Sequence, residues 1–151
     1  MITIDELKDK LTDKARLIGL DLGTKRVGVA ICDDSRKIAT PLKTINYKNM
    51  KYLINELKEI ISENHVIGII IGNPINMDGS HGKSSQSIKD KAKIIDSEMG
   101  ILTTLWDERL STSGAFNISS NLDIKFSERK KNIDEKAAAF ILQGSIDYLN
   151  N

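Results

Sequence analysis

The stretch Arg16-Leu-Ile-Gly-Leu-Asp-Leu-Gly-Thr-Lys-Arg-Val-Gly-Val-Ala-Ile-Cys32 decides how the rest of the chain is read. Residues 16–22 are apolar at nearly every position, as a strand covered on both faces requires. Residues 26–32 repeat that character after the polar turn Gly23-Thr-Lys-Arg26, so the two strands form a hairpin. Asp21 is the anomaly. Burying an unpaired carboxylate costs on the order of several kcal/mol, so an acid inside such a run requires a partner or a cation.

Outward from the hairpin, Thr3 and Glu6 have capping-box spacing and open a short peripheral helix, Ile4 to about Leu11, within residues 1–14. After the turn Asp33-Asp-Ser-Arg36 comes a third extended stretch, Lys37 to about Asn46, which Pro41 assigns to a sheet edge. From Asn49 the period changes: Leu53, Ile54, Leu57, Ile60 and Ile61 share one face of a helix ending near Asn64. Val66–Ile71 is a buried strand parallel to its neighbour, residues 73–83 (NPINMDGSHGK) are a loop, and Ser84–Met99 is a helix stopped by Gly100. Ile101–Trp106 is a further strand, Ser111 to about Asn121 a weaker helix, residues 122–131 a basic loop, and Ile133–Leu149 a final helix. Three strands in hairpins followed by helix-connected strands predict an α/β fold. Its sheet is mixed and five-stranded, three antiparallel strands then two parallel, with helices on both faces.

At 151 residues, 40% of them hydrophobic, the chain fits a single domain over 1–151. The lone Cys32 cannot pair within the chain, which favours a cytoplasmic setting, and the lack of Cys clusters excludes a zinc module. The first residues carry no apolar core of signal-peptide length, and no apolar run approaches the ~20 residues of a membrane span. Twenty-two basic against twenty-one acidic residues give a net charge of +1, unlike a protein that coats nucleic acid. Locally, Lys14, Arg16, Lys25 and Arg26 face only Asp21 within residues 14–26, and Lys125, Arg129, Lys130 and Lys131 face only Glu128 within 125–131. Such clusters either contact phosphates or are solvated loop charges. Aromatic residues are 5% of the chain, too few for serial stacking on single strands, so a nucleic-acid partner is expected to be structured.

Asp107 and Glu108 follow a buried strand, at the sheet end where α/β proteins place ligands. Asp134 has Ala137, Ala138, Ile141 and Leu142 on its helical stripe, while Glu135 has Ala138 and Ala139, so periodicity does not choose between these two acids. Each acid has a local alternative as a turn or helix cap. Together, acids from the first strand, a later strand end and the last helix converge on one side of such a sheet. Two carboxylates ~4 Å apart repel by roughly 4 kcal/mol at an effective dielectric of ~20, so a cluster takes up protons or binds cations. With only His65 and His81 as nitrogen donors, the suited ions are Mg²⁺ or Mn²⁺. Two of them ~3.5 to 4 Å apart would support phosphodiester hydrolysis.

Four stretches in order, RLIGLDLGTKRVGVAICD (16–33), GNPINMDGSHG (72–82), DERLSTSGA (107–115) and KKNIDEKAAAFILQGSIDYL (130–149), resemble the YqgF or RuvX-like family. These are pre-ribosomal-RNA nucleases and Holliday junction resolvase homologues. The resemblance implies a ribonuclease H-like fold and a metal-dependent endonuclease that processes the 5′ end of pre-16S ribosomal RNA. It puts the catalytic, metal-holding acids at Asp21, Glu108 and Asp134, in preference to Glu135. The chain departs from the family at Asn73 (usually Leu), Cys32 (often Ser) and Lys83 (frequently Pro), and no departure removes a carboxylate.

Lys25, Arg26 and Arg109 are candidate phosphate contacts, with ion pairing as the competing account. Asn76 and Ser80 can hold phosphate oxygens from the 73–83 loop, and His81 either assists proton transfer or is a solvated loop residue. Gly23 and Gly28 permit close backbone approach or serve the hairpin, Trp106 reads as core, and Cys32 as buried and inert. Other functions stay open at this point. Four-way DNA as substrate would call for a symmetric dimer, for which no seam is evident, so monomer and homodimer both stand. Asp21-Leu-Gly-Thr24 also resembles the phosphate motif of actin-like ATPases, but those close two lobes around a nucleotide and this chain has residues for one. A non-catalytic RNA-binding module is the last alternative.

Overall fold

The computed structural model describes residues 1–74, 82–110 and 126–151, the side chains of 83, 84 and 126–132 excepted. Helix α1 (Ile4–Lys10) is capped by Thr3, whose Oγ1 accepts from the Glu6 amide at 3.1 Å and donates to the Glu6 carboxylate. It is followed by β1 (Arg16–Leu22), β2 (Arg26–Cys32), β3 (Ala39–Asn46), α2 (Met50–Asn64), β4 (Val66–Asn73), α3 (Lys83–Met99) and β5 (Leu102–Asp107). A 3₁₀ turn (Glu108–Leu110) and the long helix α4 (Phe126–Leu149) complete the described elements.

The sheet has five strands in the order β3-β2-β1-β4-β5. β1 and β3 pair antiparallel with β2, and β1–β4 and β4–β5 are parallel, as expected from the sequence. β3 is an edge strand, and Pro41 costs no interior ladder bond there. Strand alternation divides the core into two. Ile18, Leu20, Leu22, Val27, Val29, Ile69 and Ile71 pack with α2 and α3 on one face. Leu17, Ala30, Cys32, Ile70 and Trp106 pack with α4 and with Leu7 of α1 on the other. The same period-two rule places Asp21 with Leu17 and Gly19 on the α4 face.

Helix α4 reaches this face closely because the sheet there lacks side chains. A Cβ on Gly19 would lie 2.7 Å from Cβ of Leu142, and one on Gly28 would lie 1.8 Å from the Asp134 carbonyl oxygen. Gly28 is also the register partner of Asp21. Its place in the fold is thus a close approach between strand and helix, and the hairpin turn does not account for it.

Three expectations change. The last helix begins at Phe126, so the basic loop expected over 122–131 is helical from 126 onward. Phe126 to Asn132 contains neither Gly nor Pro, and its Lys and Arg are good helix formers, but a charged run shows no apolar period to announce a helix. Asp134 therefore lies well inside α4 and does not open it, which removes helix-end capping as its explanation. Asn73 belongs to β4, paired in register with Asp107, and is not part of the following loop. It is 4% exposed and accepts a 2.7 Å hydrogen bond from Ser85 Oγ on α3, so this departure from the family's Leu is satisfied within the fold. The helix expected over 111–121 lies outside the described residues, as do Asn76, Ser80 and His81.

Candidate active site

Asp21 leaves β1 on the α4 face, Asp107 ends β5 and Glu108 starts the 3₁₀ turn, and Asp134 sits where α4 crosses Gly28 of β2. The carboxyl carbon of Glu108 lies 3.3 Å from where a Cβ on Gly72 would be, against the end of β4 next to β1. The acids also register one another electrostatically. Burial, and then the Asp134 carboxylate, pushes Asp21 up to about 6. Burial, then Asp21, then Asp107, pushes Glu108 up to about 7. Asp21 is thus common to both crowded pairs, with Asp134 on one side and Glu108 on the other. Glu135 turns elsewhere, accepting from Thr44 Oγ1 of β3 at 3.3 Å. Of the two acids that periodicity left open, Asp134 is the one beside Asp21, and Glu135 is turned to β3.

Two arginines attend this cluster in different ways. Arg109 is locked on Asp107: its Nε lies 3.0 Å from both carboxylate oxygens, its Nη2 2.7 Å from one of them, and its backbone amide donates to the same group. Arg26 makes an ion pair with Asp134 through Nε at 3.0 Å, from a side chain that is 53% exposed. Arg26, Lys25, Thr24, Gly23, Asn46 and Asp134 line an open cleft of about 370 Å³. Asn46 was not singled out from the sequence. Its register partner is Arg26, but a bulge between Val29 and Ala30 shifts the β2–β3 pairing by one residue, so counting back from the turn would miss it. Tyr47 Oη donates to the Gly23 carbonyl at 2.7 Å, and Lys91 of α3 donates to that hydroxyl at 2.9 Å, so the backbone of the turn is anchored.

Oxygen donors crowded enough to resist ionisation are the donor set a hard divalent cation suits, because bound charge relieves the repulsion. Among the described residues no three His, Cys, Asp or Glu side chains stand close enough to hold one ion between them as they are. Arg26 is the cation that Asp134 faces here. Trp106 is 2% exposed and packs edge-on to Tyr148, and Cys32 is buried with its thiol pushed up by burial, so both are core residues.

The raised carboxyl of Asp21 has a sign that stability measurements can read. An acid whose folded-state value lies above its unfolded one costs stability as pH rises through that interval. In chelator, Asp21→Asn is expected to stabilise the protein by on the order of 3 kcal/mol near pH 8, and by less than about 1 kcal/mol near pH 4. Urea unfolding at the two pH values checks this. A variant less stable than the parent at both would show that the carboxylate is not under strain.

The RuvX family model, described as "RuvX: Holliday junction resolvase", matches residues 15–148. A Pelagibacter ubique protein named "Putative pre-16S rRNA nuclease" is 60% identical over all 151 residues and covers the whole of both chains. A Rhodobacter capsulatus protein of the same name is 39% identical over 146 residues, 97% of this chain and 92% of the relative. Among solved structures, Thermus thermophilus RuvC in complex with Holliday junction substrate superposes with a TM-score of 0.56 at 10% identity, covering 89% of this chain and 94% of that one. That likeness is one of fold, and it identifies the mixed sheet as ribonuclease H-like. The family match and the full-length relatives together place this chain in the RuvX family, whose members are phosphodiester-cleaving nucleases.

Proposed function

We propose that the protein is a divalent-metal-dependent endonuclease acting on structured RNA, with the 5′ end of the 16S rRNA precursor as its substrate. The observation that carries this is the position of Asp21, crowded by Asp134 on one side and Glu108 on the other at the sheet end. These three carboxylates would hold Mg²⁺ or Mn²⁺, two ions in the arrangement that suits the reaction. When bound, the ions supply an activated water and stabilise charge on the phosphate and the leaving oxygen. The chain's own residues position the substrate. Lys25 and Arg26 offer cations beside Asp134 for backbone phosphates, and Asp107 holds Arg109 at the edge of the acids. Asn76 and Ser80 are proposed to add phosphate contacts from the segment between β4 and α3.

Both sheet faces carry core, which supports reading residues 1–151 as one domain with α1 at its edge. A buried, unreactive Cys32 is consistent with a cytoplasmic protein, and no described helix is long and apolar enough to cross a membrane. Four-way DNA is the second reading, favoured by the RuvC-like fold and the family description. It would require a homodimer to place two cuts symmetrically, whereas RNA trimming needs only a monomer.

Incubating the full chain with a 16S precursor fragment and with a synthetic four-way junction, each with Mg²⁺ or Mn²⁺ and with chelator, separates these readings. The expected result is metal-dependent cleavage of the RNA at or near the mature 5′ end. Cleavage of the junction alone would transfer the assignment to DNA, and cleavage that persists in chelator would remove the metal.

A further inference from the structure

The carboxylate of Asp134 is met by a cation of the chain itself, Arg26. Arg26 reaches it from the β1–β2 turn, whose backbone is fixed by Gly23 donating to the Arg26 carbonyl at 2.8 Å and by Tyr47 and Lys91. Only the side chain is left to move. That side chain is half exposed, and an ion pair so open to solvent is the weak kind that water and salt readily open. The contrast with Arg109 is physical: a fork closed on both oxygens of Asp107 is expensive to open, and a half-exposed ion pair is cheap. The open cleft that Arg26 and Asp134 line together with Lys25, Thr24 and Asn46 has room beside the pair for a phosphate oxygen to take the guanidinium in place of Asp134.

We propose that Arg26 is an exchangeable counter-ion, holding Asp134 in the metal-free protein and passing to a backbone phosphate of the nucleic acid once a divalent cation takes Asp134. This deepens the nuclease reading and rests on it. The exchange makes metal and substrate binding mutually supportive. An ion that displaces Arg26 frees a phosphate ligand, and a phosphate that draws Arg26 away exposes Asp134, with the same coupling in each direction. No bond is made or broken in the step. A divalent cation replaces the guanidinium on the carboxylate, and the positive charge this releases is met by the phosphate.

The test needs no turnover. Mn²⁺ binding to the full chain is measured by calorimetry for the parent, Arg26→Gln and Lys25→Gln, without nucleic acid. Removing the competitor is expected to tighten Mn²⁺ binding by roughly threefold to fivefold in Arg26→Gln. Lys25→Gln removes the same charge from the same turn without touching Asp134 and is expected to change affinity less than twofold. Binding of a labelled RNA hairpin across a salt series is then compared in Ca²⁺ and in chelator. Arg26→Gln should lower the salt slope by about one in Ca²⁺ and leave it unchanged in chelator, where Arg26 is held by Asp134. Equal tightening in both Gln variants would reduce the effect to general electrostatics and overturn the exchange. So would an Arg26→Gln protein that binds Mn²⁺ no better than the parent. Parent protein that takes up no Mn²⁺ would instead remove the metal from the proposed function, and the exchange with it. Circular dichroism melting confirms that both variants are folded, as expected for exposed side chains on an anchored turn.

Discussion

Replacing Asp21 by Asn is expected to lower metal-dependent cleavage on the order of a thousandfold while leaving RNA affinity within about threefold of the parent. Asn keeps the shape of the side chain and removes the charge that two neighbouring carboxylates already oppose. The metal-free variant is expected to gain stability near neutral pH, and urea unfolding that bears this out separates a loss of activity from unfolding. This is the pattern expected of a site where function and stability conflict, with the proposed function as the reason the fold carries a strained acid. Glu135→Gln supplies the comparison. Glu135 is the neighbour of Asp134 on α4 but accepts from Thr44 on β3, away from Asp21, so its amide variant should retain activity within a few-fold. Quantitative single-turnover cleavage by the parent, Asp21→Asn, Asp134→Asn and Glu135→Gln decides the matter. A pure Asp21→Asn protein that cuts as fast as the parent would end the assignment. Inactivity of Glu135→Gln beside an active Asp134→Asn would show that the wrong acid of the pair had been chosen.

The strands and the face that carries the acids were legible because burial writes a period into the sequence. Continuous apolar runs at 16–22 and 66–71 are what doubly covered strands require, and an acid at position 21 of such a run falls on a known side once Leu17 and Leu20 are assigned. Two kinds of information were not legible. The start of α4 lies in a stretch whose charged residues favour helix but carry no apolar stripe, so propensity had no pattern to reinforce it. The partners of Arg26 and Asn46 depend on a bulge and on the crossing point of α4 over β2, which are set by tertiary packing and have no local signal. Gly28 is visible as a glycine, but from sequence hairpin geometry is its simpler explanation, and only the Asp134 backbone against it corrects that.

Gly28 is the position where a single methyl group should do the most damage. It faces Asp21 across the hairpin, and an added Cβ would lie 1.8 Å from the Asp134 carbonyl oxygen and 2.2 Å from its carbon. Both obstacles are backbone, so no rotamer change relieves them, and α4 must lift from β2 by more than about 1 Å to reach ordinary contact distance. Gly28→Ala is therefore expected to cost roughly 3 kcal/mol or more. The same displacement carries Asp134 away from Asp21 and Arg26, and misplacement of this size at a reacting centre lowers rates by roughly a hundredfold. Gly100→Ala is the matched control. Gly100 caps α3 with φ at +65° and has nothing within 4 Å of its added Cβ, so alanine there should cost about 1 kcal/mol of backbone strain without touching the acids. Cleavage is measured at a temperature where circular dichroism shows all three proteins folded, so that the rate reports geometry and not the folded fraction. A Gly28→Ala protein as stable and as active as the parent would mean that α4 does not rest on β2 at Asp134. The crossing of that helix over β2, the hairpin partner of the strand bearing Asp21, would then have to be abandoned as the basis of the site.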